Sequence, residues 1–263
     1  DMGMIKSKGF IHKFFLRKEK KLYNISDKIG CTSPAQINYI TKNHKYVSNS
    51  KIEINPNSIL PRNFSKNDIN IIRKKYSLPI DKKIFIYGGN LGIPQGIDFL
   101  LDIIKSCKIN NVFFLIVGNG TEFKKIHNWF KVHSPNNALL MPGLQKELYD
   151  ELVNACDLGL IFLNKKFTIP NFPSRLLSYL EVGLPVIAAT DFVTDIGKII
   201  EKNKCGYHVH SGDIKKMNTI IKKVSKFSKL KFQKLRVNSR NLLHEKYHVN
   251  ISAKAILDKY IET

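Results

Sequence analysis

The sequence predicts an α/β protein built on a doubly wound parallel sheet, and three observations carry that reading. From about residue 61 onward, short apolar runs alternate with segments of helical period. The run Val186, Ile187, Ala188, Ala189 is apolar throughout rather than alternating, the pattern of a strand covered on both faces. Apolar runs also pass through glycine-containing turns into helices, as at 87–96 and 117–122, which is the βα step of a parallel sheet.

Taken in order, residues 25–60 read as a strand near Ile29, a helix from 34 to about 44, and a strand near Ile52. Then come a strand at 83–88, a helix at 95–107, a strand at 112–118 and a helix at 121–131. A short strand at Leu139 and Leu140 leads to a helix at 146–155 and a strand at 158–163. In 172–189, Pro173 and Ser174 suit a helix start, with Ser174 able to cap free N–H groups. Leu176, Leu177 and Leu180 follow at helical spacing, Gly183 is placed to end the helix, and Pro185 prevents its return. A helix at 195–202, a strand at 207–209, a basic helical region at 213–245 and a last helix at 251–261 complete the chain.

The chain has 263 residues, enough for one large or two modest cores. It is 43% hydrophobic and 24% charged, which excludes a disordered protein. Its formal net charge of +22 attracts polyanions, whether nucleic acid, anionic lipid or phosphorylated substrate; spread solvated lysines account for it equally. Cys31, Cys107, Cys156 and Cys205 are scattered and read as reduced thiols, which favours the cytoplasm. No apolar run approaches the roughly 20 residues of a membrane helix. The first residue is Asp1, so a piece of a longer protein is expected. Residues 5–24 mix Lys6, Lys8, Lys13, Arg17, Lys18, Lys20 and Lys21 with Phe10, Ile11, Phe14, Phe15 and Leu16. This basic amphipathic segment suits an anionic membrane face, or a surface helix packed on a further domain.

Two turns and one helix start carry the candidate chemistry. In Gly88-Gly89-Asn90-Leu91-Gly92-Ile93-Pro94-Gln95, glycines let main-chain N–H groups approach a phosphate, although such a turn is often only a tight turn. Its spacing is not that of the dinucleotide fingerprint. Gly118-Asn119-Gly120 is a second strand-to-helix turn. Arg175 stands in the first turn of the helix opened by Pro173 and Ser174; this suits a phosphate, or is an ordinary step with a surface arginine. His208 and His210 share a strand face but lack a third ligand, so a surface pair is expected and no metal. There is no P-loop and no Gly-x-Ser-x-Gly motif.

These stretches, with Pro142-Gly143-Leu144-Gln145, resemble the C-terminal half of family 4 glycosyltransferases, which have the GT-B fold. The likeness runs from about residue 25 to the end. It implies a remnant of an acceptor-binding domain over 1–60, a donor-binding domain over 61–245 and a crossover helix over 246–263. It implies a hexosyltransferase, incomplete as given, that moves sugar from a nucleotide sugar to a glycan or lipid-linked acceptor for cell-surface polysaccharide. Configuration would be retained, with no metal or other cofactor. Gly88, Gly89, Asn90, Leu91, Gln95, Gly118, Asn119 and Gly120 would hold the donor, Leu144 its base, Pro173 and Ser174 its diphosphate, Phe172 with Asn171 its sugar, and Ser178 its ribose. Arg175 would stabilise the departing diphosphate, which two helix N-termini would also face. The family's two glutamates, separated by seven residues, fall at Pro170 and Ser178, and its loop cations at Asn90 or Leu91 and at Gln95. Glu181, one turn beyond Ser178, is within reach of the ribose but is not assigned to it. The likeness also favours a cytoplasmic location, peripheral at the inner membrane face. A non-catalytic nucleotide-sugar-binding subunit, or a sugar-nucleotide epimerase of the same fold, fits the same residues. Nucleic-acid binding ranks last, because no aromatic–basic module appears.

Overall fold

The computed structural model describes residues 9–62 and 69–261, with side chains through residue 258. Two parallel sheets are present. The smaller joins β1 (Ile29–Cys31) and β2 (Ile52–Ile54), with α1 (Phe10–Ile25) before them and α2 (Pro34–Asn43) between them. Cys31, Ile40 and Val47 form its small core. Lys6 and Lys8 of the basic amphipathic segment lie outside the described residues.

The larger sheet is made by β3 (Lys83–Gly88), β4 (Val112–Val117), β5 (Ala138–Met141), β6 (Leu158–Phe162), β7 (Val186–Thr190) and β8 (Gly206–His210). Their order is β5-β4-β3-β6-β7-β8, and every neighbouring pair is parallel. The helices are α3 (Ile69–Lys75), α4 (Ile97–Ser106), α5 (Phe123–His133), α6 (Lys146–Asn154), α7 (Arg175–Glu181), α8 (Ile196–Lys202), α9 (Ile214–Ser225), α10 (Lys229–Lys246) and α11 (Val249–Ile261).

Strand β3 shows why its sequence is apolar at consecutive positions. Phe85 and Tyr87 enter the core on one face of the sheet, and Ile84 and Ile86 enter the core on the other. Each fully buried side chain of this size contributes about 1.5–3 kcal/mol, so both faces resist exposure. The doubly wound parallel sheet is therefore as the sequence predicts.

Two elements differ from the sequence reading, and one helical region divides in two. The helical region at 213–245 is two helices, and Ser228 caps the second by accepting from the Lys231 N–H at 3.3 Å. Helix α3 was not anticipated; its Ile72 is buried, and Arg73 spends its guanidinium on Asp157 at 2.8 Å. The helix expected from residue 95 starts at Ile97, after a 3-10 turn over Ile93–Gln95.

Parallel register decides where a site can form. Gly88 pairs with Val117, and Val117 with Met141, so β3, β4 and β5 end at one level. Their three following turns emerge side by side at the carboxyl edge, next to the β3–β6 switch point where open α/β sheets bind ligands.

Candidate functional site

A cleft of about 960 Å3 lies at that edge. Its walls come from the turn after β3 (Gly88, Gly89, Asn90, Gln95), the turn after β4 (Gly118, Asn119), the turn after β5 (Gly143, Leu144) and the start of α7. Phe172, Pro173, Ser174, Arg175 and Ser178 complete the last wall. Twelve of the fourteen residues expected from the sequence thus line one cavity.

The other two do not. Leu91 is fully buried in the core, because its side chain points below the turn. Its main chain ties two turns together instead: the Leu91 N–H donates to Asn119 O at 2.8 Å, and the Glu122 N–H donates to Leu91 O at 2.9 Å. Gly120 lies outside the lining; a Cβ there would overlap Leu91 O, so its lack of a side chain lets the turns close on each other. The same holds at Gly118, where a Cβ would overlap the carbonyl oxygen of Gly89. Asn119 Oδ1 accepts from the Gly143 N–H at 3.1 Å, which fastens the third turn to the second.

Arg175 meets the first turn. A Cβ added to Gly89 would stand 4.0 Å from both Cζ and Nη2 of the guanidinium. Arg175 Nη2 donates to Gln95 Oε1 at 2.7 Å, and Cζ lies 4.4 Å from the centroid of the Tyr87 ring. Nη1 is buried and has no hydrogen-bond acceptor among the described residues. Burial pulls the guanidinium pKa down, but the phenol oxygens of Tyr87, Tyr179 and Tyr149 outweigh it and the net shift is upward. Burial raises the Tyr87 phenol, raises Tyr149 further, and brings Tyr179 to about 12, so all three stay neutral at physiological pH. The cluster therefore carries one uncompensated positive charge facing the cleft.

The tyrosines also fix the floor. Tyr179 Oη accepts from the Gly88 N–H at 3.1 Å, and Tyr87 Oη donates to Asn90 O at 2.9 Å. Tyr149 packs against Gly88 so closely that a Cβ there would overlap its hydroxyl. Sequence reading missed Tyr149, which shares the helical face of Leu152 and Val153; that spacing was the available signal. Asn57, Ser58, Ile59, Lys146 and Asp150 also line the cleft and were not foreseen.

Several local expectations are corrected. Ser174 occupies the cap position of α7, but its side chain caps nothing. The first-turn N–H groups of Ser174 and Arg175 have no acceptor among the described residues, while those of Leu176 and Leu177 are used by Pro173 O and Ser174 O. Of the two helix starts expected at the diphosphate, that of α7 lines the cleft, whereas Gly96, which precedes α4, packs against Leu163 and Asn164 instead. Glu181 does not reach the cavity. It is buried at the far end of α7 and accepts from Arg62 Nε at 3.1 Å, while Arg62 Nη2 bonds Asp150 at 2.5 Å. Pro170 gives its carbonyl oxygen to Gln36 Nε2 at 3.3 Å.

His208 and His210 share a face, with ring centroids 5.0 Å apart. Among the described residues no three His, Cys, Asp or Glu side chains gather as a metal site would require. The four cysteines are free and buried.

The family model for Glycosyl transferases group 1 matches residues 68–241. The chain belongs to this family. The putative colanic acid biosynthesis glycosyl transferase WcaI of Escherichia coli (strain K12) is 24% identical over 134 residues, 51% of this chain and 33% of the relative. The chain thus matches about a third of that relative's length. Among solved structures, a glycosyltransferase from Rickettsia africae superposes with a TM-score of 0.78 at 17% identity, over 93% of this chain and 66% of that one. Anabaena Alr3699/HepE, in complex with UDP and glucose, gives 0.80 at 17% identity, over 95% and 68%. WaaG, a glycosyltransferase of lipopolysaccharide biosynthesis, gives 0.69 at 18%, over 95% and 69%. At these identities the superpositions establish the fold, that of GT-B glycosyltransferases.

Proposed function

We propose that this group 1 glycosyltransferase chain supplies the donor site of a retaining, metal-independent transfer of sugar from a nucleoside diphosphate sugar to a glycan or lipid-linked acceptor. The observation that carries the reading is Arg175: its buried Nη1 has no acceptor among the described residues, and its guanidinium stands beside the Gly89 turn in the cleft. A diphosphate oxygen satisfies it. Because an arginine does not lose its proton in this range, Arg175 stabilises the charge that develops on the leaving diphosphate and does not act as a general acid. The free N–H of Asn90, which has no acceptor among the described residues, adds a neutral donor from the turn after β3.

Other cleft residues divide the rest of the donor. Gly143 and Leu144 face the base, Ser178 the ribose in place of an acid, and Asn171 and Phe172 the sugar. A second cleft of about 800 Å3, between α2 and the turn after β7, is lined by Pro170, the sequence neighbour of Asn171 in the first, and offers the acceptor an approach. The HepE complexes with UDP and UDP-glucose support a uridine donor by analogy of fold. Retention and metal independence rest on the family resemblance. Anomeric analysis of the product and assay in a chelator check them. Residues 1–60 and 246–263 then belong with the acceptor side, as α11 suggests by bonding Ser252 Oγ to Pro56 O at 3.0 Å.

Calorimetric titration with UDP, GDP and ADP tests the donor assignment. One of them should bind saturably, and Arg175→Gln should weaken it at least tenfold while leaving the thermal unfolding midpoint nearly unchanged. Equal affinity in the two proteins, or no saturable binding, removes the proposal.

Helix α1 supports a peripheral place on an anionic, cytoplasmic membrane face. It has no buried residue, and Phe10, Ile11, Phe14, Phe15 and Leu22 are exposed beside Lys13, Arg17, Lys20 and Lys21. Among the described residues no helix is long and apolar enough to cross a membrane. Co-sedimentation with phosphatidylglycerol vesicles but not phosphatidylcholine vesicles is expected; equal recovery with both contradicts it.

A further inference from the structure

Two side chains orient Arg175. The ring of Tyr87 supports one face of the guanidinium, and Gln95 Oε1 holds Nη2 at 2.7 Å. Gln95 sits on a turn whose main chain is fixed from two directions. Its own N–H donates to Gly92 O at 2.9 Å. The loop after β6 reaches in from the other side: the Asn164 N–H donates to Pro94 O at 2.9 Å, and Asn164 Nδ2 to Ile93 O at 3.2 Å. The side chain of Gln95 therefore reaches across the cleft wall from a rigid base, and its carbonyl oxygen fixes the guanidinium plane. Nη1 is the nitrogen left buried without an acceptor.

We propose that Gln95 is a positioning residue, whose acceptor oxygen turns Arg175 so that Nη1 meets a phosphate oxygen, and that the cleft is built for one cation at this place rather than two. The inference rests on the donor-site reading above and goes beyond it. Its physical content is a sign. An ammonium at position 95 would stand at hydrogen-bond distance from Nη2, where two like charges oppose each other and one swings away. A residue that touched the anion itself would instead improve binding whenever it gained a positive charge.

The test is a cycle of wild type, Gln95→Lys, Arg175→Gln and the double variant, titrated with whichever of UDP, GDP and ADP wild type binds best, with thermal unfolding as the folding control. Gln95→Lys should weaken the diphosphate about tenfold in the wild-type background and strengthen it severalfold in the Arg175→Gln background. Gln95→Ala should weaken it about tenfold, the value of one hydrogen bond to a charged group, and have no further effect once Arg175 is Gln. Tightening by Gln95→Lys alone, or additive losses, overturns the inference while leaving the donor site intact. A readout without ligand separates the two ideas: the Arg175 Nε–H resonance in arginine-labelled protein should be sharp in wild type and broadened in Gln95→Ala. If no diphosphate binds wild type, the donor-site reading falls. If the resonance is unchanged in Gln95→Ala, Gln95 has no positioning part.

Discussion

Replacing Arg62 by Met isolates the clamp that ties the connecting segment to α6 and α7. In the native protein Arg62 Nε and its N–H both bond Glu181 Oε1 at 3.1 Å, and Nη2 bonds Asp150. These hydrogen bonds, Glu181 first, raise the Arg62 pKa further above its usual value. The carboxylate side chains are only 4% and 6% exposed, whereas Arg62 is 43% exposed. Removing one partner of a fully buried pair costs about 3–5 kcal/mol. Two features reduce that here. Water reaches the arginine, and each carboxylate keeps a partner: Asp150 keeps Lys146 Nζ at 3.0 Å, and Glu181 keeps the residue-62 N–H. The expected loss is about 2 kcal/mol, or roughly 4–8 °C in a chain of this size. Equilibrium urea unfolding with calorimetry measures it. Adding Glu181→Gln to Arg62→Met should recover about half, because a neutral amide replaces the stranded charge. A loss under about 0.5 kcal/mol, or no recovery in the double variant, shows that the clamp is a surface contact of little consequence.

Three further outcomes follow from the geometry. Gly118→Ala places a Cβ against a main-chain carbonyl that cannot swing aside, so it should destabilise by roughly 1–3 kcal/mol and also lower nucleoside diphosphate affinity; a loss of neither, by urea unfolding and calorimetry, counts against the interlocked turns. Burial, followed by His210, holds the His208 imidazole below 6.5, while Nε2 meets Thr190 Oγ1 at 2.9 Å. The unfolded chain then binds the proton more readily, so stability should fall as pH drops below about 6.5, and the fall should be smaller in His208→Gln when urea curves at pH 7, 6 and 5 are compared. Burial raises the Cys205 thiol to about 12 and Cys156 higher, so a disulfide reagent at pH 8 should label neither in the native protein and all four cysteines after denaturation.

Much of this architecture was legible because the parallel sheet writes itself into local sequence. Runs such as 84–87 are apolar at every position because both faces are covered, and Gly183 with a φ of 73° ends α7 where sequence placed it. The turns were legible for a different reason: Gly88 and Gly118 stand where a ring or a main chain approaches too closely for a side chain, and Gly89 has a φ of 109°. What stayed hidden depends on contacts across long separations. Gln95 looks like a lost cation until Arg175, 80 residues away, is seen to bond it. Glu181 looks like a spare ribose acid until Arg62, 119 residues earlier, is seen to claim it. Leu91 was read as a ligand contact from its place in a glycine-rich turn, but its apolar side chain had a core to enter. The helix start at Ile97 was misplaced because Pro94 suits a 3-10 turn as well as an α-helix.

A crystal structure of the chain with the nucleoside diphosphate it binds best examines the shared cleft without intermediates. The terminal phosphate should lie within hydrogen-bonding distance of Arg175 Nη1 and of the main-chain N–H of Asn90, with Gln95 still holding Nη2. A diphosphate bound elsewhere, or one seated in the cleft with Arg175 turned away from it, would contradict the idea that these two distant segments grip one anion.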